Sequence, residues 1–178
     1  MKEFRRYYWD SGVFCSFLSE EENRWQIVED LLKEGHAGRL EIVTSSFALV
    51  EVLKLKGHTP INAAAEDELK TFFEYPFIKF VNADRDICEA ARAFVWKHKM
   101  ASKDALHMAT AHRASTVLQI HGLFSWDSDF VRLSGKQRIG FPISHPFLEQ
   151  GVLRLENGEE SQADPVEDDQ TEEPPAAS

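Results

Sequence analysis

Apolar and polar positions along the chain change period repeatedly, from the alternation expected of strands to the three-and-four spacing of helices. Phe4 to Trp9 is rich in aromatic residues and predicts a strand, followed by Ser11-Gly12 and a helical run through Val13, Phe14, Phe17 and Leu18. Trp25, Ile27, Val28, Leu31 and Leu32 recur at helical spacing, with a stop signal in the stretch from Gly35 to Gly38. Leu40 to Thr44 predicts a second strand. Ser45 or Ser46 is placed to cap the next helix, whose Phe47-Ala48-Leu49-Val50-Glu51-Val52-Leu53 run is apolar nearly all round, as expected of a buried helix. Glu51 is its one acid.

Gly57 to Pro60 breaks the chain, after which Ala63 to Phe73 predicts a helix and Phe77 to Val81 a short apolar strand. Asp84 to Lys99 has strong helical character, and Ser102 is placed to cap a further helix from Lys103 to Arg113. Val117 to Ile120 and Leu123 to Trp126 read as one interrupted strand, followed by a loop over Asp127-Ser128-Asp129-Phe130, with a last short strand in Ile139 to Ile143. This alternation predicts an α/β fold with a mostly parallel central sheet and helices on both faces. Ligands of such sheets gather at the carboxyl ends of the strands.

Composition adds a boundary. With 178 residues the chain suits one domain, and we expect it over residues 1–150. From Glu156 to Ser178 there are nine acids and no Lys or Arg, so the remainder holds 30 − 9 = 21 acids against 20 bases. The net charge of −10 therefore belongs mainly to the segment 151–178. Poor in bulky apolar residues, that segment is expected to be a disordered acidic tail. A nearly neutral body does not exclude nucleic acid, and the tail suggests a competitor for its basic surface. No apolar run approaches a membrane span and no secretory leader is evident, so a cytoplasmic protein with no membrane partner is expected. Cys15 and Cys88, each in an apolar stretch, read as buried free thiols of a reducing compartment.

Four acids stand apart from polar outer faces. Asp10 falls at a strand end, Asp104 in the first turn of a helix and Asp127 just after a strand, positions that helix capping, the helix dipole and ordinary loop chemistry also explain. Glu51 is harder to explain, because an ionised carboxylate in an apolar helix is costly without a cation or strong donors. Lys54, three residues on, offers one partner, and a metal ion the other. Several carboxylates suit Mg²⁺ or Mn²⁺, held against a phosphate.

Four segments in order strengthen this reading: Tyr8-Trp9-Asp10-Ser11-Gly12-Val13, Thr44-Ser45-Ser46-Phe47-Ala48-Leu49-Val50-Glu51, Lys103-Asp104-Ala105-Leu106-His107-Met108-Ala109-Thr110-Ala111, and Phe124-Ser125-Trp126-Asp127-Ser128-Asp129-Phe130. Their spacing resembles the PIN domain family, and within it the VapC-like ribonuclease toxins. The resemblance implies a three-layer α/β/α sandwich and a metal-dependent endoribonuclease site at the carboxyl edge of the sheet. It assigns Asp10, Glu51, Asp104 and Asp127 as catalytic, metal-binding acids, Asp129 as auxiliary, and Ser125 as a small hydroxyl residue beside them. Ser11 and Ser46 are candidates to hydrogen-bond the carboxylates. Trp126 is bulkier than the family pattern, and the acidic tail lies outside it. An RNA substrate, a cognate antitoxin and a homodimer are implied partners.

His107 shares a helical face with Asp104, and the resemblance assigns it no catalytic part, so packing is its expected role. Lys54, Lys56, Lys97, Lys99, Lys103 and Arg132 lie near the motifs as phosphate contacts or ordinary surface charges. Two rival readings are a catalytically silent PIN-like module that binds RNA or protein, and a Mg²⁺-dependent phosphatase. The latter would normally need a second Asp near the first strand, which Asp10-Ser11-Gly12 lacks.

Overall fold

In a computed structural model that describes residues 4–53, 55–58, 62–134 and 139–148, strands and helices alternate along the chain. The first half runs β1 (Arg5–Trp9), α1 (Ser11–Leu18), α2 (Trp25–His36), β2 (Leu40–Ser45), α3 (Ala48–Glu51) and α4 (Ala63–Phe73). The second half runs β3 (Ile78–Val81), α5 (Arg85–His98), α6 (Ser102–Leu118), β4 (Gly122–Phe124), α7 (Ser128–Val131) and β5 (Ile143–Ser144). Every strand pairing is parallel, and the strand order is β3-β2-β1-β4-β5.

The central strand shows why the fold has three layers. Successive side chains of a strand point to opposite faces, and Tyr8 and Trp9, both fully buried, enter different cores. Tyr8 packs with Val43, Leu123 and the inner faces of α5 and α6. Trp9 packs with Ile42, Phe124, Phe14 of α1, Val28 and Leu31 of α2, and Phe72 and Phe73 of α4. The result is the expected α/β/α sandwich, with a sheet that is wholly parallel among the described residues. These residues fall in one unit ending at Leu148. The segment 151–178 expected as a tail lies outside them.

Several sequence expectations change. The apolar run after β2 is not a buried helix: α3 is a single turn that buries only Ala48 within it, with Val52 buried just beyond. Leu49, Val50 and Leu53 are exposed at 46%, 60% and 56%. One turn offers the core only the narrow stripe of residues four apart, so the rest of an apolar sequence must face outward. Neither Ser45 nor Ser46 occupies its N-cap, which is Phe47.

The Val117–Ile120 segment is not strand, because α6 continues through Leu118 before Gln119 turns left-handed at φ 55°. The side chain of Arg6 donates to the Leu118 carbonyl, one of the groups left open at a helix C-terminus, so tertiary contact supports a longer helix than β-branched residues suggest. Ser102 is the first residue of α6 rather than its cap, a position held by Ala101. Finally, Cys88 is exposed on α5 and Cys15 half-buried, so neither thiol is the fully buried one expected. The last strand is reduced to Ile143–Ser144.

Candidate active site

The strand order reverses beside β1: the chain moves from β1 to β2 and β3 on one side, then returns to place β4 on the other. The crevice at the carboxyl ends of β1 and β4 is the switch point where such sheets bind ligands. Asp10 follows β1 directly and caps α1, its Oδ1 accepting the Val13 N–H at 3.0 Å. Its Oδ2 accepts from the hydroxyl of Ser125, which follows β4. The same Ser125 oxygen accepts the Asp127 N–H at 3.0 Å, tying the loop after β4 to the acid after β1. Burial raises the Asp10 carboxyl pKa above the ordinary range, and the charge of Asp104 adds to this; the Ser125 bond and the Val13 amide oppose it.

Asp104 sits in the first turn of α6. Its pKa is raised by partial burial first and by the charge of Asp127 next, with Glu51 contributing, against the opposing pull of Lys103 and His107. Asp104 thus feels the charges of Asp127 and Glu51, and Asp10 feels that of Asp104, although the four acids come from separate stretches of chain. Among the described residues the Asp104 carboxylate has neither hydrogen bond nor ion pair. Asp127 caps α7, accepting the Asp129 N–H at 2.7 Å, so Asp129 lies in a helical turn rather than a loop; it pairs with Arg132 at 3.5 Å.

Glu51 differs most from its expected setting. Its Oε2 accepts from the Ser11 hydroxyl at 2.7 Å and lies 2.7 Å from His107 Nε2, while Oε1 lies 3.5 Å from Lys103 Nζ. Partial burial pushes its carboxyl up, but the His107 and Ser11 hydrogen bonds and the His107 and Lys103 charges more than offset this, leaving the pKa lowered. Protein donors therefore satisfy Glu51, and its surroundings do not by themselves require a metal. Lys54, the partner expected from sequence, lies outside the described residues; the lysine found there is Lys103.

Two of the three serines meet carboxylates as expected, Ser11 with Glu51 and Ser125 with Asp10. Ser46 does not: its hydroxyl accepts the Ala83 N–H at 3.0 Å. Of the other bases expected near the motifs, Lys56 pairs with Glu20, Arg132 with the auxiliary Asp129, and Lys103 with Glu51. Trp126 is half-buried, its Nε1 donating to Ser16 at 2.9 Å, with Arg24 over its ring at 5.1 Å and His145 stacked at 5.7 Å. These contacts direct it to the Trp9 side of the sheet. The residue sequence reasoning undervalued is His107, 2% exposed, whose Nδ1 lies 2.8 Å from the Tyr8 hydroxyl. Its one signal in the sequence is a histidine three positions after Asp104 on the same helical face, which reads more readily as packing.

The donor set is all carboxylate oxygen, the chemistry that hard divalent cations select. Asp10 and Asp104 are both raised, by burial first and by neighbouring carboxylate charge in addition. In the side-chain positions described, no three His, Cys, Asp or Glu groups are drawn together as a ready-made cage.

The PIN domain family model matches residues 7–136. The chain belongs to the PIN domain family. This PIN domain also resembles solved structures at low sequence identity. A toxin–antitoxin complex from Klebsiella pneumoniae aligns at TM-score 0.52 and 16% identity, over 80% of this chain and 99% of that one. VapC20 of Mycobacterium tuberculosis, described as a sarcin–ricin-loop-cleaving toxin, aligns at 0.53 and 15%, over 69% and 91%. VapBC2 from Rickettsia felis, bound to a promoter DNA fragment, aligns at 0.51 and 11%, over 79% and 98%. No curated protein matches. At such identities the structures establish the shared fold. Among the described residues, no helix of this PIN domain is long and apolar enough to cross a membrane.

Proposed function

We propose that this PIN domain is a Mg²⁺- or Mn²⁺-dependent endoribonuclease, the toxin of a VapBC-type toxin–antitoxin pair. The observation that carries the reading is Asp104: a partly buried carboxylate without a pair among the described residues, facing the charges of Asp127, Glu51 and Asp10. Such crowding is unfavourable unless a cation shares it.

In this reading Asp10 and Asp104 hold the ion directly, Glu51 and Asp127 support it or a second one, and Asp129 is auxiliary. The bound cation supplies charge neutralisation at the phosphate and a more acidic water. The chain's own residues supply placement. Ser125 fixes Asp10 and the Asp127 loop against each other, Ser11 fixes Glu51, and Lys103 offers positive charge to a phosphate. No side chain is needed as a covalent nucleophile.

Solved structures of toxin–antitoxin assemblies with this fold support an antitoxin partner, and a homodimer is a further part of the same proposal. The exposed Leu49, Val50 and Leu53, on the turn that carries Glu51, suit a protein partner's apolar side chains. A cytoplasmic location, and a domain ending near residue 150 before an acidic tail, belong to this reading as well.

Incubating the purified protein with generic RNA, single-stranded DNA and a phosphomonoester, each with Mn²⁺ or with chelator, tests it. Cleavage of RNA that chelator stops is expected. Hydrolysis of the phosphomonoester alone would indicate a phosphatase, and RNA binding without cleavage a silent binding module.

A further inference from the structure

Outside the acids, one buried polar chain runs from the central strand to the site: Tyr8 hydroxyl, His107 Nδ1 at 2.8 Å, His107 Nε2, Glu51 Oε2 at 2.7 Å. Tyr8 is fully buried and His107 2% exposed, so solvent does not compete for these bonds. An ionised carboxylate only accepts hydrogen bonds, so His107 must present an Nε2–H to Glu51 whatever charge the ring carries. The Tyr8 hydroxyl adapts, donating to a bare Nδ1 or accepting from a protonated one. The ring cannot readily turn away: it meets Tyr8 edge-on at 6.0 Å and 71°, and Phe47 at 6.0 Å and 58°.

We propose that His107 is a positioning residue for Glu51: held by Tyr8, it fixes the tautomer and orientation that hold Oε2 together with Ser11, leaving Oε1 as the oxygen directed to the cationic side of the site. Both ring nitrogens are committed, so His107 is not itself a metal ligand. Oε1 meets only the flexible, exposed Lys103 among the described residues, at 3.5 Å, an ammonium that can withdraw. The arrangement has the logic of partners behind metal-site ligands, whose loss commonly weakens metal binding by about 10- to 100-fold. The inference rests on the metal reading above for its consequence, and on the hydrogen-bond geometry alone for its cause.

The two parts are tested separately in the full chain. In chelator-treated protein, imidazole ¹⁵N spectra should show a protonated Nε2 on His107. The Glu51 carboxyl ¹³C signal should move in His107→Leu and return toward its original position in His107→Gln, whose amide N–H replaces Nε2–H. Mn²⁺ binding, read from the resonance of the free ion, should weaken about tenfold in His107→Leu and recover in His107→Gln. Should His107→Leu fail to fold, Tyr8→Phe keeps the ring volume, removes the Nδ1 partner, and should shift the His107 Nδ1 and Glu51 carboxyl signals while weakening Mn²⁺ binding. An Nδ1–H tautomer in the wild type, an unmoved Glu51 signal, or a glutamine variant no better than the leucine variant overturns the proposal. If the wild type binds no Mn²⁺, the metal reading fails, and the spectra still decide whether His107 orients Glu51.

Discussion

Ser125 donates to Asp10 across 115 positions of sequence, joining the end of β4 to the end of β1. The same hydroxyl oxygen accepts the Asp127 N–H, so one side chain sets two of the four acids. Ser125→Ala removes both bonds and leaves a buried carboxylate oxygen without its donor. A loss of about 1–3 kcal/mol is expected, read from urea unfolding, with reduced cleavage. Unchanged stability would show that Asp10 does not depend on this bond.

Asp10→Asn and Asp104→Asn should each abolish Mn²⁺-dependent RNA cleavage while circular dichroism shows an intact fold. Full activity of either variant at saturating Mn²⁺ would remove that residue from the proposed ligand set.

Asp10→Asn should also stabilise the protein in chelator at neutral pH. Asparagine keeps an oxygen for the Val13 N–H, turns the Ser125 contact round so that its NH₂ donates to the serine oxygen, and removes a buried charge whose pKa the fold raises. Because the folded pKa exceeds the unfolded one, ionisation opposes folding: the cost is fully present above the raised pKa and vanishes below the unfolded value of about 3.9. A gain is expected at pH 7, shrinking as the pH falls toward 4. Thermal unfolding across pH in chelator measures it, and a constant difference would contradict the assignment.

Gly12 lies against the same carboxylate, where a Cβ would stand 3.3 Å from Asp10 Oδ1. Alanine favours a helix over glycine by up to about 1 kcal/mol, so stability should change little. Asp10, held by Val13 and Ser125, can yield only by shifting, and Gly12→Ala should lower the cleavage rate roughly tenfold. A variant as active as the wild type would show that the carboxylate tolerates displacement.

Gly35 on α2 tests the far core. A Cβ there would fall 2.5 Å from Phe77 Cδ2, a ring buried and packed against His36 and Tyr75. Overpacking of this kind costs about 1–3 kcal/mol, more than the helical preference of alanine returns. Gly35→Ala should therefore lower the unfolding midpoint without changing Mn²⁺ affinity.

Local pattern carried most of the elements. The aromatic richness of β1, helical spacing in α2 and α4, and the positions of Asp10 and Asp104 at element boundaries were all readable, because strand propensity, helix period and capping chemistry are properties of short stretches. The apolar run around Glu51 misled, since hydrophobic content does not say whether a turn faces a core or solvent. Val117 misled in the other direction, because Arg6, distant in sequence, supports the helix end that follows it.

By itself, the sequence determined the strand–helix alternation, the ordered acids and the concentration of negative charge after Leu155. Only the tertiary structure decided which acids are satisfied and by what. Asp104 stands without a pair among the described residues, while Glu51 is held by Ser11, His107 and Lys103. Hydrogen bonds such as Tyr8 to His107 join residues 99 positions apart, and only packing of α6 against the central strand brings them within reach.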